Sequence, residues 1–156
     1  YTISEKGEVY SKKRKIIMKQ TINKYGYFWI GLINKGENQK IFLIHRLVYQ
    51  AFNLEEGKTM PVTVDHENGI KTDNSRDNLR GATHAQNIWN QGKRINNKLG
   101  HKNIVITKWG TFMVQIRHTR HTTRYHKSFK TLSEAIAHRD IKLLELHGEF
   151  ANNGEL

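Results

Sequence analysis

Residues 64–69 read Val64-Asp65-His66-Glu67-Asn68-Gly69, and the sequence on either side of them decides the fold. Before them, Val62-Thr63-Val64 has the β-branched composition of a strand. After them, Thr83 is followed three positions later by Gln86, a capping box that predicts a helix from about His84 to Trp89. The order of strand, loop, short strand and helix therefore predicts a compact finger within residues 62–91.

The finger places an acid and a base next to each other, at Asp65 and His66. A carboxylate is a ligand for a hard cation, and a neutral imidazole takes a proton from water. At the end of a strand one of the two side chains can hold the cation while the other faces the water. A folded finger could return Asn87 to Asp65, and Asn78 could accept from one ring nitrogen of His66 and leave the other as the base. The pattern predicts one-metal phosphodiester hydrolysis, and hence a DNA-cutting enzyme.

The charge of the chain indicates a polyanionic partner. Its formal net charge is +12, and the two ends carry more of the excess than the middle. Double-stranded DNA is the partner that such a charge favours, and a membrane surface is the other candidate. No apolar run approaches the ~18 residues of a membrane span, so we expect no membrane partner.

The chain has no cysteine, which excludes disulfides and cysteine-based zinc sites. Any metal must be held by His, Asp, Glu, Asn or backbone oxygens, so we expect one Mg²⁺ or Mn²⁺ and no structural zinc. The absence of cysteine also fits a reducing cytosol. We expect a cytoplasmic protein, in the host bacterial cell if a phage encodes it.

The segment before the finger reads as strands and one short helix. The apolar run 26–33, the turn 34–38 and the apolar run 41–44 predict a β-hairpin. Residues 45–52 have the helical spacing of a short amphipathic helix, in which His45 packs or caps. The basic cluster Lys12-Lys13-Arg14-Lys15 is either a solvated turn or strand edge, or a set of phosphate contacts.

The last segment reads as a sheet of three strands covered by one helix. Strands are predicted at 103–106, 111–117 and 124–129, after a polar linker at 91–100. Ser133 can cap a helix of about Glu134–Leu146 that Gly148 ends, with Ile136, Leu143, Leu144 and the alanines on its buried side. No acidic residue occurs from Leu99 to Ser133. We read His118, His121 and His126 in this stretch as a solvated basic turn rather than a metal site.

Four pieces of the finger, in order and at matching spacing, resemble the HNH nucleases of the ββα-metal fold, in particular the phage-type homing subgroup associated with introns. The lead-in at residues 45–52 is also similar, so the resemblance covers residues 41–90. The pieces are Asp65-His66-Glu67-Asn68-Gly69, Lys71-Thr72-Asp73-Asn74, Asn78-Leu79-Arg80 and Thr83-His84-Ala85-Gln86-Asn87.

By position, the resemblance implies that His66 is the general base and that Asp65 and Asn87 ligate one divalent cation. It implies that Asn78 orients His66 and stabilises the loop, and that the products carry a 5′-phosphate and a 3′-hydroxyl. The third signature position is Asn87 where the family has His or Asn, and His84 is the alternative ligand. Two basic residues are candidates for contacting the leaving phosphate, Lys71 and Arg76.

Both flanks resemble DNA-binding modules. Residues 1–11 are similar to a modular DNA-binding motif that often precedes these nucleases. Residues 100–154 are similar to the plant ethylene-response-factor (Apetala) type of domain, for example at Trp109-Gly110-Thr111-Phe112 and His147-Gly148-Glu149-Phe150-Ala151-Asn152. In that family the sheet enters the major groove. The residues implied to contact DNA are Val105, Thr107, Trp109, Met113, Gln115, Arg117 and Tyr125, to which we add the basic Arg124.

The sequence thus predicts an α+β chain: a ββα-metal finger with an N-terminal β-hairpin region and a C-terminal three-stranded sheet on one helix. The predicted parts are residues 1–40, 41–92, a linker at 93–100, and 101–154. We expect a site-specific homing endonuclease. A non-catalytic DNA-binding regulator and a nonspecific or structure-selective nuclease are the alternatives. Oligomeric state, and whether one strand or both are cut, stay open. We also expect the finger to stay folded without residues 100–156.

Overall fold

A computed structural model describes residues 1–117 and 124–155. The chain forms two compact units, Tyr1–Ala82 and Thr83–Leu156. The boundary between them falls inside the predicted finger, whose strands belong to the first unit and whose helix belongs to the second. The four-part division inferred from the sequence stays a prediction. None of the helices in the described ranges is both long and apolar enough to cross a membrane.

Two small antiparallel sheets begin the first unit. Strands β1 (Thr2–Ile3), β2 (Val9–Ser11) and β3 (Ile16–Ile17) form one sheet in that order. Strands β4 (Thr21–Ile22), β5 (Phe28–Leu32) and β6 (Lys40–Leu43) form the other, again in chain order. The pairing of β5 with β6 confirms the hairpin that the apolar runs predicted.

A short helix follows β6 and is the centre of the first core. Helix α1 (Ile44–Val48) continues into a π-helical turn at Tyr49–Asn53. Ile44 and Val48 are fully buried among apolar residues of both sheets and of the finger. Gly7 approaches α1 so closely, at a φ of +88°, that a Cβ atom there would lie 2.8 Å from Ile44 Cγ2. Only glycine therefore lets the N-terminal turn pack on this helix.

The strands of the finger form a hairpin of their own. Strands β7 (Thr63–His66) and β8 (Leu79–Ala82) are antiparallel, and a 3₁₀ turn at Arg76–Asn78 precedes β8. Val64 and Leu79 are buried in the first core. Their burial holds the last residue of β7 and the loop that follows against the rest of the unit.

The second unit starts with helix α2 (His84–Asn90), and the predicted capping box is present: Gln86 N donates to Thr83 Oγ1, and Thr83 N donates to Gln86 Oε1. Strands β9 (Ile104–Ile106), β10 (Phe112–Ile116) and β11 (Tyr125–Phe129) form an antiparallel sheet with β10 in the middle. Helix α3 (Leu132–His147) packs against it and is followed by a 3₁₀ turn at Gly148–Phe150.

Helix α3 corrects two details of the prediction. Its cap is Thr131, which forms a capping box with Glu134, and not Ser133. Leu144 is 65% exposed, so it does not belong to the buried side. Ala135 and Leu143 do, and they meet apolar residues of the sheet in a second core. The small apolar fraction of the chain is thus divided between two cores.

Candidate active site

Asp65 lies in the middle of the finger hairpin and is paired with a cation. It is directly opposite Arg80 on β8, and its Oδ2 accepts a hydrogen bond of 3.1 Å from Arg80 Nε. Asp65 is only 4% exposed. A buried carboxylate is costly without a countercharge, so the guanidinium of Arg80 offsets the desolvation of Asp65. The cross-strand register therefore holds this carboxylate in one place.

His66 ends the same strand, and an asparagine of the following loop holds its ring. The ring Nε2 lies 3.3 Å from Asn74 Oδ1, and both residues are buried. Asn74 Nδ2 donates to the Thr72 carbonyl at 3.4 Å, which turns Oδ1 toward the ring. An amide oxygen only accepts, so Nε2 carries the proton and the neutral ring has its lone pair on Nδ1.

The surroundings of His66 keep its ring neutral. Burial lowers the pKa of His66 below the ordinary 6.5. The contact with Asn74 and the charge of Asp65 act in the opposite direction but are weaker, and nearby Lys71 adds to the lowering. A proton acceptor must be neutral to work, so the local environment favours the form of His66 that a general base requires.

Two further rings pack around His66. The ring centroids of His45 and His66 are 5.1 Å apart, and Tyr27 lies 5.0 Å from His45 and 5.9 Å from His66. Burial, followed by the charges of His66 and Arg46, lowers the pKa of His45 to about 3, so His45 is also neutral. The expectation that His45 packs is confirmed. Its place beside His66 is new, and its position in the lead-in segment was the only signal in the sequence.

Asn78 stabilises the loop, but it does not hold the ring. Its Oδ1 accepts from the backbone N–H of Asn68 at 3.0 Å, and its Nδ2 donates to the Asp73 carbonyl at 2.8 Å. Because the loop backbone occupies both ends of the amide, the orienting contact with His66 falls to Asn74. These bonds agree with a loop-stabilising role of Asn78, and the prediction that Asn78 orients His66 stays a prediction.

The two basic candidates for a phosphate contact have different surroundings. Lys71 Nζ donates to the Tyr25 carbonyl at 3.1 Å and lies 5.0 Å from the centroid of the Tyr27 ring. Arg76 is bound to Glu5 in the N-terminal turn, with 2.8 Å between Nη1 and Oε1. Lys71 is thus beside the rings, whereas Arg76 ties the loop to the N-terminal segment.

Asn87 lies on α2, in the second unit. It is half-buried, and within the described part of the chain its side-chain amide makes no hydrogen bond. Its backbone N–H donates to the Thr83 carbonyl. His84, the alternative ligand, is the first residue of the helix and is exposed. Among the described residues, no hydrogen-bond donor contacts the amide oxygen of Asn87, so this oxygen is available as a ligand.

The basic cluster at residues 12–15 forms the turn between β2 and β3. All four side chains are exposed, and none takes part in an ion pair within the described ranges. Lys15 has a φ of +53°, and its N–H donates to the Ser11 carbonyl at 2.7 Å. The turn thus presents four cations in an ordered backbone.

The sheet of the second unit has an apolar face toward α3 and a mixed outer face. Val114 and Ile116 are buried, while Met113 and Gln115 alternate with them and face outward. Segment 94–99 borders the outer side in a groove of about 670 Å³ whose lining includes Gln115, Arg117 and Arg124. Trp109, in the turn before β10, is 76% exposed.

Tyr125 is on the other side of the sheet. It is paired with the buried Ile116, its hydroxyl lies 2.5 Å from His138 Nε2 of α3, and Lys142 Nζ lies 5.0 Å from its ring centroid. Tyr125 therefore faces α3 and not the side of Met113 and Gln115, and its contact with DNA stays a prediction. Its spacing from Phe129, four residues later on the same strand, placed both on the helix side.

The histidine-rich turn is only partly described. His126 is an exposed residue of β11, and His118 and His121 lie outside the described residues. Over residues 1–117 and 124–155, no group of three or more histidine or acidic side chains converges as a metal site.

Comparisons with known proteins agree with this geometry. Residues 42–88 match the family described as HNH endonuclease, and residues 1–33 match the NUMOD4 motif. The DNA endonuclease I-HmuI of Bacillus phage SP01 is 44% identical over 94 residues, which are 60% of this chain and 52% of that protein. The chain thus spans about half the length of this curated relative.

A solved structure, described as DNA binding and cleavage by the HNH homing endonuclease I-HmuI, is similar over most of the chain. It has a TM-score of 0.51 at 29% identity, and the match covers 93% of this chain and 83% of that one. The match supports the mixed arrangement of helices and sheets. Residues 42–88 of the chain are thus similar to HNH endonucleases, and residues 1–33 are similar to the NUMOD4 motif.

Proposed function

We propose that the chain is a DNA endonuclease of the homing type, which hydrolyses a phosphodiester to a 5′-phosphate and a 3′-hydroxyl. The observation that carries the proposal is the neutral, buried His66, whose Nε2 faces Asn74 and whose neighbour in β7 is the ion-paired Asp65. These residues lie within the segment that matches HNH endonucleases. Charge, fold and site thus favour the same chemistry.

We assign Asp65 and Asn87 as ligands of one divalent cation. A carboxylate oxygen and an amide oxygen are hard donors that suit Mg²⁺ or Mn²⁺. The amide of Asn87 has no other partner among the described residues, and the Asp65 carboxylate is kept in place by Arg80. When bound, such a cation stabilises the charge that develops on the scissile phosphate.

We assign the remaining catalytic and structural roles to other residues of the finger. His66 accepts a proton from the attacking water at Nδ1, because Nε2 is protonated and faces Asn74. Asn78 keeps the loop in shape through its bonds to Asn68 and Asp73. Of the two basic candidates we favour Lys71 over Arg76 for contacting the phosphate, because Lys71 lies beside the rings that pack on His66.

We assign the exposed cations and the outer sheet face to double-stranded DNA. The turn at residues 12–15 offers phosphate contacts. Gln115 and Arg117 have the donors and acceptors that read adenine and guanine edges in a major groove, and Trp109, Met113 and Arg124 accompany them on the outer side of the second unit. This assignment also rests on the resemblance of residues 100–154 to the ethylene-response-factor type of domain.

The direct test compares cleavage of a plasmid that carries the target site by the wild type and by His66→Ala in Mg²⁺. We expect the variant to lose strand scission and to keep DNA binding. His101→Ala removes an imidazole from the second unit and is the matched control, with cleavage as in the wild type. Equal scission by wild type and His66→Ala would remove His66 as the base.

Two alternative functions give different results in the same assay. A non-catalytic DNA-binding regulator would bind DNA tightly and with salt sensitivity, without scission in Mg²⁺ or Mn²⁺. A nonspecific nuclease would give a smear on genomic DNA, whereas a homing enzyme gives a few defined fragments. The intact set of Asp65, His66 and Asn87 favours the enzyme over the regulator.

A further inference from the structure

We propose that the C-terminal unit positions the helix that carries Asn87, so that Lys102, Asn152 and His147 are positioning residues for the nuclease. The proposal rests on the proposed function, in which Asn87 is a cation ligand. It gives residues 100–155 a second role beside DNA contact. All the contacts that support it lie within the second unit.

Helix α2 is too short to be stable by itself. It has seven residues, His84–Asn90, and isolated helices shorter than about 12 residues are marginal in water. Its own capping box satisfies the N-terminal end. The Ile88 carbonyl accepts from the Gln91 N–H at 3.2 Å. The carbonyls after Ile88 lie beyond the reach of donors within the helix, so the C-terminal end of α2 requires partners from elsewhere.

Two polar side chains from outside the helix supply those partners. Lys102 Nζ donates to the Trp89 carbonyl and to the Gln91 carbonyl, each at 2.6 Å. Asn152 Nδ2 donates to the Asn90 carbonyl, also at 2.6 Å. A cation and an amide donor at the negative end of a helix stabilise it through both hydrogen bonds and charge. The two partners are 50 residues apart in the sequence, and the fold of the second unit brings them to α2.

A buried arginine keeps both partners in place. Arg139 on α3 is fully buried, and its Nη1 donates to the carbonyls of Lys102 and Asn153 at 3.0 Å each. Burial, followed by the charge of Arg139, lowers the pKa of Lys102 to about 8. Lys102 is thus mostly protonated at neutral pH.

A stacked ring pair connects α2 to the outer strand region. The rings of Trp89 and His147 are parallel within 3°, with centroids 4.4 Å apart. His147 Nε2 lies 3.1 Å from the carbonyl of Arg117, and Arg117 is one of the residues assigned to DNA. One ring therefore contacts both the helix of the cation ligand and the end of the DNA-contacting strand. On this proposal, the helix of the finger loses order when residues 100–156 are removed, contrary to the expectation from the sequence.

The test uses the full chain with Lys102→Met, which keeps the length of the side chain and removes its donors. Asn152→Asp is the second variant: it keeps the oxygen that accepts from Gly154 and loses the donor to Asn90. Lys102→Arg is the conservative rescue, and Lys130→Met on an exposed turn is the control for the loss of one charge. The readouts are hydrogen exchange of the α2 amides, the Mg²⁺ concentration for half-maximal cleavage, and DNA affinity.

In both donor-deleted variants we expect the α2 amides to exchange about tenfold faster, as the loss of a hydrogen bond at the end of the helix implies. The Mg²⁺ requirement should rise by about the same factor, and DNA affinity should stay within about twofold. Lys102→Arg and Lys130→Met should match the wild type.

Unchanged exchange at α2, or faster exchange with an unchanged Mg²⁺ requirement, would overturn the proposal while the wild type still cleaves. A wild type that does not cleave would instead reject the proposed function, and the exchange data would still decide whether Lys102 and Asn152 hold α2.

Discussion

The loop around His66 and the outer face of the C-terminal sheet use charge in opposite ways. Around His66 the polar groups are buried and paired: the Asp65 carboxylate with Arg80, and the neutral ring with Asn74. On the sheet, Arg117 and Arg124 are exposed beside an open groove. Chemistry on a phosphodiester requires groups fixed before the substrate arrives, whereas phosphate binding requires cations that can meet it. Substitutions in the loop should therefore act on rate and stability, and substitutions on the sheet should act on affinity.

The largest effect is expected from Arg80→Gln. Removing the guanidinium leaves the Asp65 carboxylate buried without this countercharge, which costs about 3–5 kcal/mol in comparable cases. Thermal and denaturant unfolding measure the loss. The double variant Asp65→Asn with Arg80→Gln should recover most of it, because the buried charge is then gone. A double variant as unstable as Arg80→Gln alone would show that Arg80 stabilises the fold by other contacts.

Asn74→Ala should slow cleavage by about a hundredfold, because a ring that is no longer held loses its orientation toward the water. Single-turnover rates measure this, with DNA affinity determined in parallel. Asn38→Ala, in the exposed turn between β5 and β6, is the matched control. An unaffected rate in Asn74→Ala would mean that packing against Tyr27 and His45 is sufficient to orient the ring.

The pH profile should show a smaller change, of about tenfold per pH unit on the acidic side. Because burial lowers the pKa of His66 below the ordinary 6.5, the neutral ring predominates at pH 6.5 and above and takes up a proton as the pH falls further. Cleavage should thus be level above pH 6.5 and fall as the pH drops through the lowered pKa. The same lowered pKa makes His66 contribute to stability above pH 6.5 and lose that contribution below it. A cleavage rate that already falls between pH 8 and pH 6.5 would argue against a base whose pKa is lowered, and so against His66.

The smallest effect is expected on the sheet. Arg117→Ala should weaken binding to the target by about 1–3 kcal/mol and leave the rate of bound complex unchanged. Lys13→Ala, in the basic turn, should weaken binding to all sequences alike and reduce the salt dependence by about one charge. Gel-shift titrations at several salt concentrations measure both. If Arg117→Ala lost affinity equally for target and random DNA, Arg117 would be a phosphate contact.

Many of the secondary-structure elements are predictable from short-range patterns in the sequence. The capping box at Thr83 set the start of α2, and the alternation along β10 separated Val114 and Ile116 from Met113 and Gln115. The same kind of signal would have avoided the error in the cap of α3. Thr131 has Glu134 three positions later, which makes it a better cap than Ser133. These features depend on neighbours within four residues, so the sequence displays them directly.

The choice among similar side chains was not visible in the sequence. Asn74 and Asn78 are both asparagines of one loop. Only the path of the folded loop brings Asn74 into contact with the His66 ring and Asn78 into hydrogen bonds with the loop backbone. His45 joins His66 because α1 packs beside β7 in a common core.

By itself, the sequence predicted most of the strands and helices after residue 26, placed Asp65 and His66 next to each other at the end of a strand, and displayed the basic character of the flanks. Only the tertiary structure decided which amide holds the ring, that Tyr125 faces α3, and that Lys102 and Asn152 end α2. The reason is physical. Periodicity and caps act between near neighbours, whereas a buried polar group takes whichever partner the packing of distant segments brings within reach.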